Sequence, residues 1–123
     1  MRILIVEDTV MMRKMIKTEL VKLGHTDIVE CENGKDAHEA IKITRPDFDL
    51  IISDWDMPKM NGIELLKIVR NTPQIAKTPF IMIAAEADQK NIIEAVSNGV
   101  SSYIVKPFTP GTLQDKVKKA LGK

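Results

Sequence analysis

"DLIISDWDMPKMNG", residues 49–62, is the stretch that decides the fold. Its first half is an apolar run with no polar alternation, which reads as a strand buried on both faces, the condition of a parallel strand covered by helices. The run ends at Ser53, and Asp54 and Asp56 then flank Trp55 before Pro58 and the Asn61-Gly62 pair. Asn61-Gly62 is a turn and helix-cap signal. A buried strand that finishes in acids and turns into a helix is one βα unit, and in open sheets of such units ligands sit beyond the carboxyl ends of the strands.

The same grammar repeats on both sides. "RILIV" at 2–6, a weaker "DIVEC" at 27–31, "FIMIA" at 80–84 and "SYIVK" at 102–106 each read as a strand. Between them lie helical patterns. Residues 10–23 carry Met11, Met12, Met15, Ile16, Leu20 and Leu23 at three- and four-residue steps, with Gly24 suited to the left-handed end of the helix. The methionines read as helix packing, since Met fills irregular core gaps. Asn33 opens a helix to about Thr44, stopped by Arg45-Pro46. Asn61 caps a helix with Ile63, Leu66 and Val69 on its inner side. Asp88 caps the next, with Ile92, Ile93 and Val96 inward and Gly99 after its end. Thr109-Pro110 starts the last, through Leu121. Five βα units with right-handed crossovers give an open parallel sheet with helices on both faces, whereas a closed barrel needs more units.

Length and charge bound the rest. A chain of 123 residues suits one domain, residues 1–123, and its 44% apolar and 28% charged content is that of an ordinary globular protein. A formal net charge of +1 supplies no global field for nucleic acid. Lys116, Lys118, Lys119 and Lys123 gather near the C-terminus as the solvated, dipole-complementing end of the last helix. Cys31 is alone, so no internal disulfide forms. No signal-peptide pattern opens the sequence and no apolar run approaches the ~20 residues of a membrane span. A cytoplasmic protein, not membrane-bound, is expected.

The residues just after the strands carry the chemistry: Glu7 and Asp8 after the first, Asp54 after the third, Ala84 ending the fourth and Lys106 after the fifth. If the first and third strands are neighbours, Glu7, Asp8 and Asp54 share one crevice. Two carboxylates ~5 Å apart repel by about 3 kcal/mol at an effective dielectric of 20, so three require a cation. Oxygen-only ligands in a shallow site favour Mg²⁺, to which Asp56 can lend its main-chain carbonyl. Lys106 then reads as the partner of a phosphate, and Asp54 as a group held fixed relative to a metal and an incoming phosphoryl. Taken singly, each acid reads as solvated charge at a helix start. Acids at two strand ends with a lysine at a third make a site.

These residues resemble a known family from end to end: the receiver domain of two-component response regulators, most closely the single-domain chemotaxis response regulators of the CheY type. The carriers are "VEDTVMMRKMI" at 6–16, "SDWDMPKMNGIELL" at 53–66 and "AAEADQKNIIEAVSNGVSSYIVKPF" at 84–108. The resemblance implies a (βα)5 flavodoxin-like, doubly wound sheet of strand order 2-1-3-4-5. It implies Glu7 and Asp8 as the Mg²⁺-binding acids, Asp54 as phospho-acceptor and further ligand, Asp56 as a main-chain ligand, Lys106 as phosphate partner, Tyr103 as switch aromatic and a cis Lys106-Pro107 bond. It also implies a histidine kinase as phosphate source, possible phosphatases, and an output face on the fourth helix, fifth strand and fifth helix for a flagellar motor switch protein or another protein target. Chemistry is then limited to the protein's own phosphorylation and dephosphorylation. Ala84 departs from the pattern, because the family places Thr or Ser there.

Other functions compete. A phosphorelay intermediate, or a receiver cut from a larger regulator, would carry the same residues. Asp54-x-Asp56 also resembles the haloacid dehalogenase phosphatases, although that motif normally follows the first strand of a larger domain. A flavodoxin-like mononucleotide carrier shares the fold, but acids after the first strand do not cradle phosphate. His25 and His38 fall outside the crevice and read as ordinary surface residues. Trp55 reads as a half-exposed reporter beside the acceptor.

Overall fold

The computed structural model describes residues 1–44, 47–85 and 87–122. Its strands are β1 (Arg2–Val6), β2 (Asp27–Cys31), β3 (Leu50–Asp54), β4 (Phe80–Ala84) and β5 (Ser102–Val105); its helices are α1 (Val10–Lys22), α2 (Gly34–Ile43), α3 (Gly62–Arg70), α4 (Gln89–Ser97) and α5 (Pro110–Ala120). All strands pair in parallel in the order β2-β1-β3-β4-β5. The sequence pattern therefore placed every strand to within one residue. The Arg45-Pro46 stop and Lys123 lie outside the described residues.

The helix starts are built by the expected side chains. Asn33 accepts from the Asp36 N–H at 2.8 Å, Asp88 from the Lys90 N–H at 2.8 Å and Thr109 from the Thr112 N–H at 3.2 Å. Asn61 and Glu64 close a reciprocal capping box on α3. Gly24 and Gly99 end α1 and α4 with φ of +92° and +87°, a region costly for any side chain.

Alternate residues of the central strands feed two apolar layers. Leu4, Val6, Ile51, Phe80 and Met82 face α2 and α3, while Ile3, Ile5, Ile52, Ile81 and Ile83 face α1 and α5. Burying one such side chain contributes about 1.5–3 kcal/mol, so β1, β3 and β4 are rigid, and truncating Leu66 to alanine would cost about 2–5 kcal/mol. The edge strand β2 is only half-buried, which is why its run is weaker in sequence.

Three details differ from the sequence reading. On α4, Ile93 and Val96 point outward at 56% and 61% exposure, and the buried residue is Ala95; the helix lies on the sheet through a small residue, so its larger apolar side chains are left on the rim. Met11 is 81% exposed, and only Met12 and Met15 pack against the core. A 3-10 turn, Pro73–Ile75, interrupts the connection to β4 and buries Ile75.

Candidate functional site

The sheet register assembles the site. Val6 pairs with Ser53 across the β1–β3 ladder, so the next residues on each strand, Glu7 and Asp54, emerge side by side. This is the point where the strand order reverses and a crevice must open. Across the β4–β5 ladder Ala84 pairs with Val105, which sets Lys106 at the same rim, its N–H donating to the Ala84 carbonyl at 2.8 Å.

Carboxylate oxygens of Glu7, Asp8 and Asp54 lie within 4.8 Å of one another, and among the described residues this is the one acidic or metal-ligating cluster of three or more. Glu7 and Asp54 are buried at 1% and 3% exposure, and Asp8 stands at the mouth. Lys106 Nζ is 3.1 Å from Asp54 Oδ2 and 3.5 Å from Glu7 Oε1. Asp54 Oδ1 accepts from the Trp55 N–H at 2.9 Å, and Glu7 Oε2 from the Thr9 N–H at 3.0 Å. Arg13 donates to the Glu7 carbonyl at 2.7 Å, fastening α1 to the acid loop.

The charges are in tension. Burial pushes the Glu7 carboxyl up to about 7; the Thr9 N–H and Lys106 pull it down, while the charge of Asp54 and a hydrogen bond with Asp8 raise it further. Burial also raises Asp54 above the usual carboxylate range, against the hydrogen bond and charge of Lys106 and the bonds from Glu7 and Trp55. One ammonium facing three carboxylates leaves a deficit of two positive charges, which a small divalent cation would match. Two acids held above their ordinary range chiefly by burial, with a third carboxylate at the mouth, are a donor set that fits such an ion.

The remaining expected residues fall around this cluster. Asp56 is exposed in the loop after β3, and Ala84, 4% exposed, ends β4 without a hydroxyl to offer. Tyr103 is half-buried on β5 and meets the half-buried Trp55 edge to face, with ring centroids 6.3 Å apart and planes at 70°. The Lys106-Pro107 bond is cis. His25 and His38 are half-buried rather than exposed, and His38 lines a small cavity with Ile41, Lys42 and Thr72, apart from the acids. Cys31 is free and half-buried, its thiol pushed up to about 11 chiefly by burial, so it offers no thiolate at neutral pH. Sequence reasoning missed the Trp55–Tyr103 contact and the Arg13 bond. The first joins residues far apart in the chain, which only the register of the sheet brings together; the second spans six residues and depends on how α1 is set against the end of β1.

Comparison with known proteins agrees with this geometry. The sequence model described as response regulator receiver domain matches residues 3–118. A chemotaxis protein CheY homolog of Campylobacter jejuni is 42% identical over 99% of this chain and 93% of its own, and chemotaxis protein CheY-3 of Vibrio cholerae is 44% identical over 97% and 90%. The solved structure of the chemotaxis response regulator CheY4 of Vibrio cholerae superposes with a TM-score of 0.89 at 32% identity, covering 98% of both chains. No described helix is long and apolar enough to cross a membrane.

Proposed function

Since the chain belongs to the response regulator receiver family, we propose that its 123 residues form one receiver domain that takes a phosphoryl group on Asp54 from a histidine kinase and thereby changes a partner-binding face, in chemotactic control of a flagellar motor. The observation that carries this reading is the convergence of Glu7, Asp8 and Asp54 within 4.8 Å beneath the Lys106 ammonium. In-line transfer asks for little more than positioning and charge stabilisation.

Glu7, Asp8 and Asp54, with the Asp56 main-chain carbonyl, would hold Mg²⁺. When bound, the ion neutralises charge on the phosphoryl oxygens. An Asp54 carboxylate oxygen forms the new O–P bond as the P–N bond of the kinase phosphohistidine breaks, and the imidazole leaves with the electron pair. The Trp55 N–H steadies Asp54 Oδ1, and Lys106 is placed to move from the carboxylate to the phosphoryl oxygens.

The product adds up to about one further negative charge to the crevice. Lys106 stands against the acceptor to answer it, and the N–H of Ala85, the residue after β4, would serve as a second donor. Tyr103, resting on Trp55 beside the acceptor, is the element that would turn inward. Output would leave through the face of α4, β5 and α5, where Ile93 and Val96 already stand exposed. The partners are then a chemotaxis-type kinase, a motor switch protein and a phosphatase, with no nucleic acid or membrane, in the cytoplasm, and with no turnover of outside substrates. The haloacid dehalogenase reading loses its ground to a family match that spans 3–118.

The test is emission from Trp55 during titration with Mg²⁺ and then a small acyl phosphate. A saturable change at each step is expected in the wild-type chain. Asp54→Asn should abolish the second step. An unchanged second step in that variant would place the acceptor elsewhere.

A further inference from the structure

The geometry points to Gly34, the first residue of α2, as a positioning residue for the β3–α3 loop, and through that loop for the cation side of the acid cluster; this rests on the Mg²⁺ reading above. Gly34 is buried, and its N–H donates to the Met60 carbonyl at 3.1 Å. That N–H is among the first of α2 and has no intrahelical acceptor. The Asn33 side chain is occupied with the Asp36 N–H, so the Met60 carbonyl serves as a second cap, donated by another part of the chain.

The loop is fixed at its base by Trp55, whose N–H reaches the Ile83 carbonyl at 2.8 Å and whose own carbonyl accepts from Gly62 at 2.9 Å. Its tip is turned tightly by the Met60 N–H onto the Pro58 carbonyl at 2.7 Å, with Lys59 at a φ of +68°. Among the described residues, Gly34 gives this tip its one backbone hydrogen bond from another element. Contact there is already as close as a glycine allows. A Cβ on residue 34 would sit 2.5 Å from the Met60 carbonyl oxygen and 2.9 Å from Met60 Cβ and Cγ. The oxygen is backbone and cannot swing aside, so the tip would have to retreat, and Asp56 lies on the same short turn.

The experiment uses the full chain and Mg²⁺ alone. Gly34→Ala should weaken Mg²⁺ binding, read by Trp55 emission and by calorimetry, by about tenfold, the lower end of the cost of disturbing groups that orient metal ligands. Lys35→Ala, at an exposed neighbour, should leave the affinity unchanged. An ion that binds only the closed loop makes its opening rarer, so saturating Mg²⁺ should slow hydrogen exchange at the Gly34 amide of the wild-type chain. An alanine variant with wild-type affinity overturns the proposal. So does a Gly34 amide whose exchange ignores Mg²⁺, a result that stands even if the variant fails to fold. A wild-type chain that binds no Mg²⁺ overturns the site reading itself, and the wild-type titration shows this separately.

Discussion

Lys106 Nζ donates to Asp54 Oδ2 at 3.1 Å, joining the end of β5 to the end of β3 across the crevice. Burial alone would lower the lysine's affinity for its proton, but Asp54 and Glu7 outweigh it, and the ammonium ends above its ordinary range. Lys106 is therefore the one side-chain cation shown against two buried acids among the described residues. Lys106→Ala should destabilise the metal-free protein by about 1–3 kcal/mol, less than a fully buried pair because Lys106 is one-quarter exposed. Mg²⁺ should restore much of that loss, since an ion that binds only the folded state stabilises it. Urea denaturation with and without MgCl₂ measures both; an equal deficit in the two conditions would mean the ion and the lysine do not answer the same charge.

Glu7 predicts a pH dependence with a definite sign. Its folded pKa is raised from 4.5 to about 7, so the folded state holds the proton more tightly than the unfolded chain. The associated stability is full below about 4.5 and is lost as pH rises through 7. Relative to Glu7→Gln, the metal-free wild type should lose on the order of 2–3 kcal/mol between about pH 5 and pH 8. Parallel denaturation series check this, and a difference that stays flat or climbs with pH would show that Glu7 is already ionised in the fold.

Much of this site was readable because β1, β3 and β4 are buried on both faces. A strand that cannot slip without exposing its apolar residues fixes the residue that follows it, and Glu7, Asp54 and Ala84 inherit that certainty. The caps were readable for a similar reason: Asn33, Asn61, Asp88 and Thr109 act within three residues of themselves. The orientation of α4 was not. Ile92, Ile93 and Val96 satisfy a helical period, yet the face that docks is chosen by Ala95, whose small side chain lets the helix approach. Apolar spacing reports a stripe, and a stripe serves a partner as well as a core. The Gly34–Met60 contact left no mark beyond a glycine in a capping position, because its cause is a carbonyl from a distant loop.

The exposed pair on α4 carries its own prediction. Ile93 and Val96 are more than half exposed, so Ile93→Glu should change stability by no more than about 0.5 kcal/mol, as surface substitutions do. If α4 is the output face, the same change should weaken binding of the phosphorylated protein to a motor-switch partner by at least about tenfold, the loss expected for an interface anchor. Thermal unfolding and a binding isotherm on the same sample separate the two effects. Full affinity in the variant would move the output elsewhere.

The last prediction concerns the missing hydroxyl at Ala84. The residue is buried at the end of β4, its carbonyl already engaged by the Lys106 N–H, so a threonine there would place its hydroxyl at the crevice rim beside Asp54. A hydrogen bond to a charged phosphoryl oxygen is worth about 1.5–3 kcal/mol, or roughly tenfold and more in an equilibrium constant. Ala84 should therefore permit phosphorylation of Asp54 but leave the inward turn of Tyr103 incomplete. Ala84→Thr should leave Mg²⁺ affinity unchanged and, with a beryllium fluoride mimic of the phosphoryl group, increase both the Trp55 emission change and partner affinity. Trp55 reports the step because Tyr103 rests edge-on against it at 6.3 Å. Equal responses from the two proteins would mean that Lys106 and the Ala85 amide complete the switch without a hydroxyl.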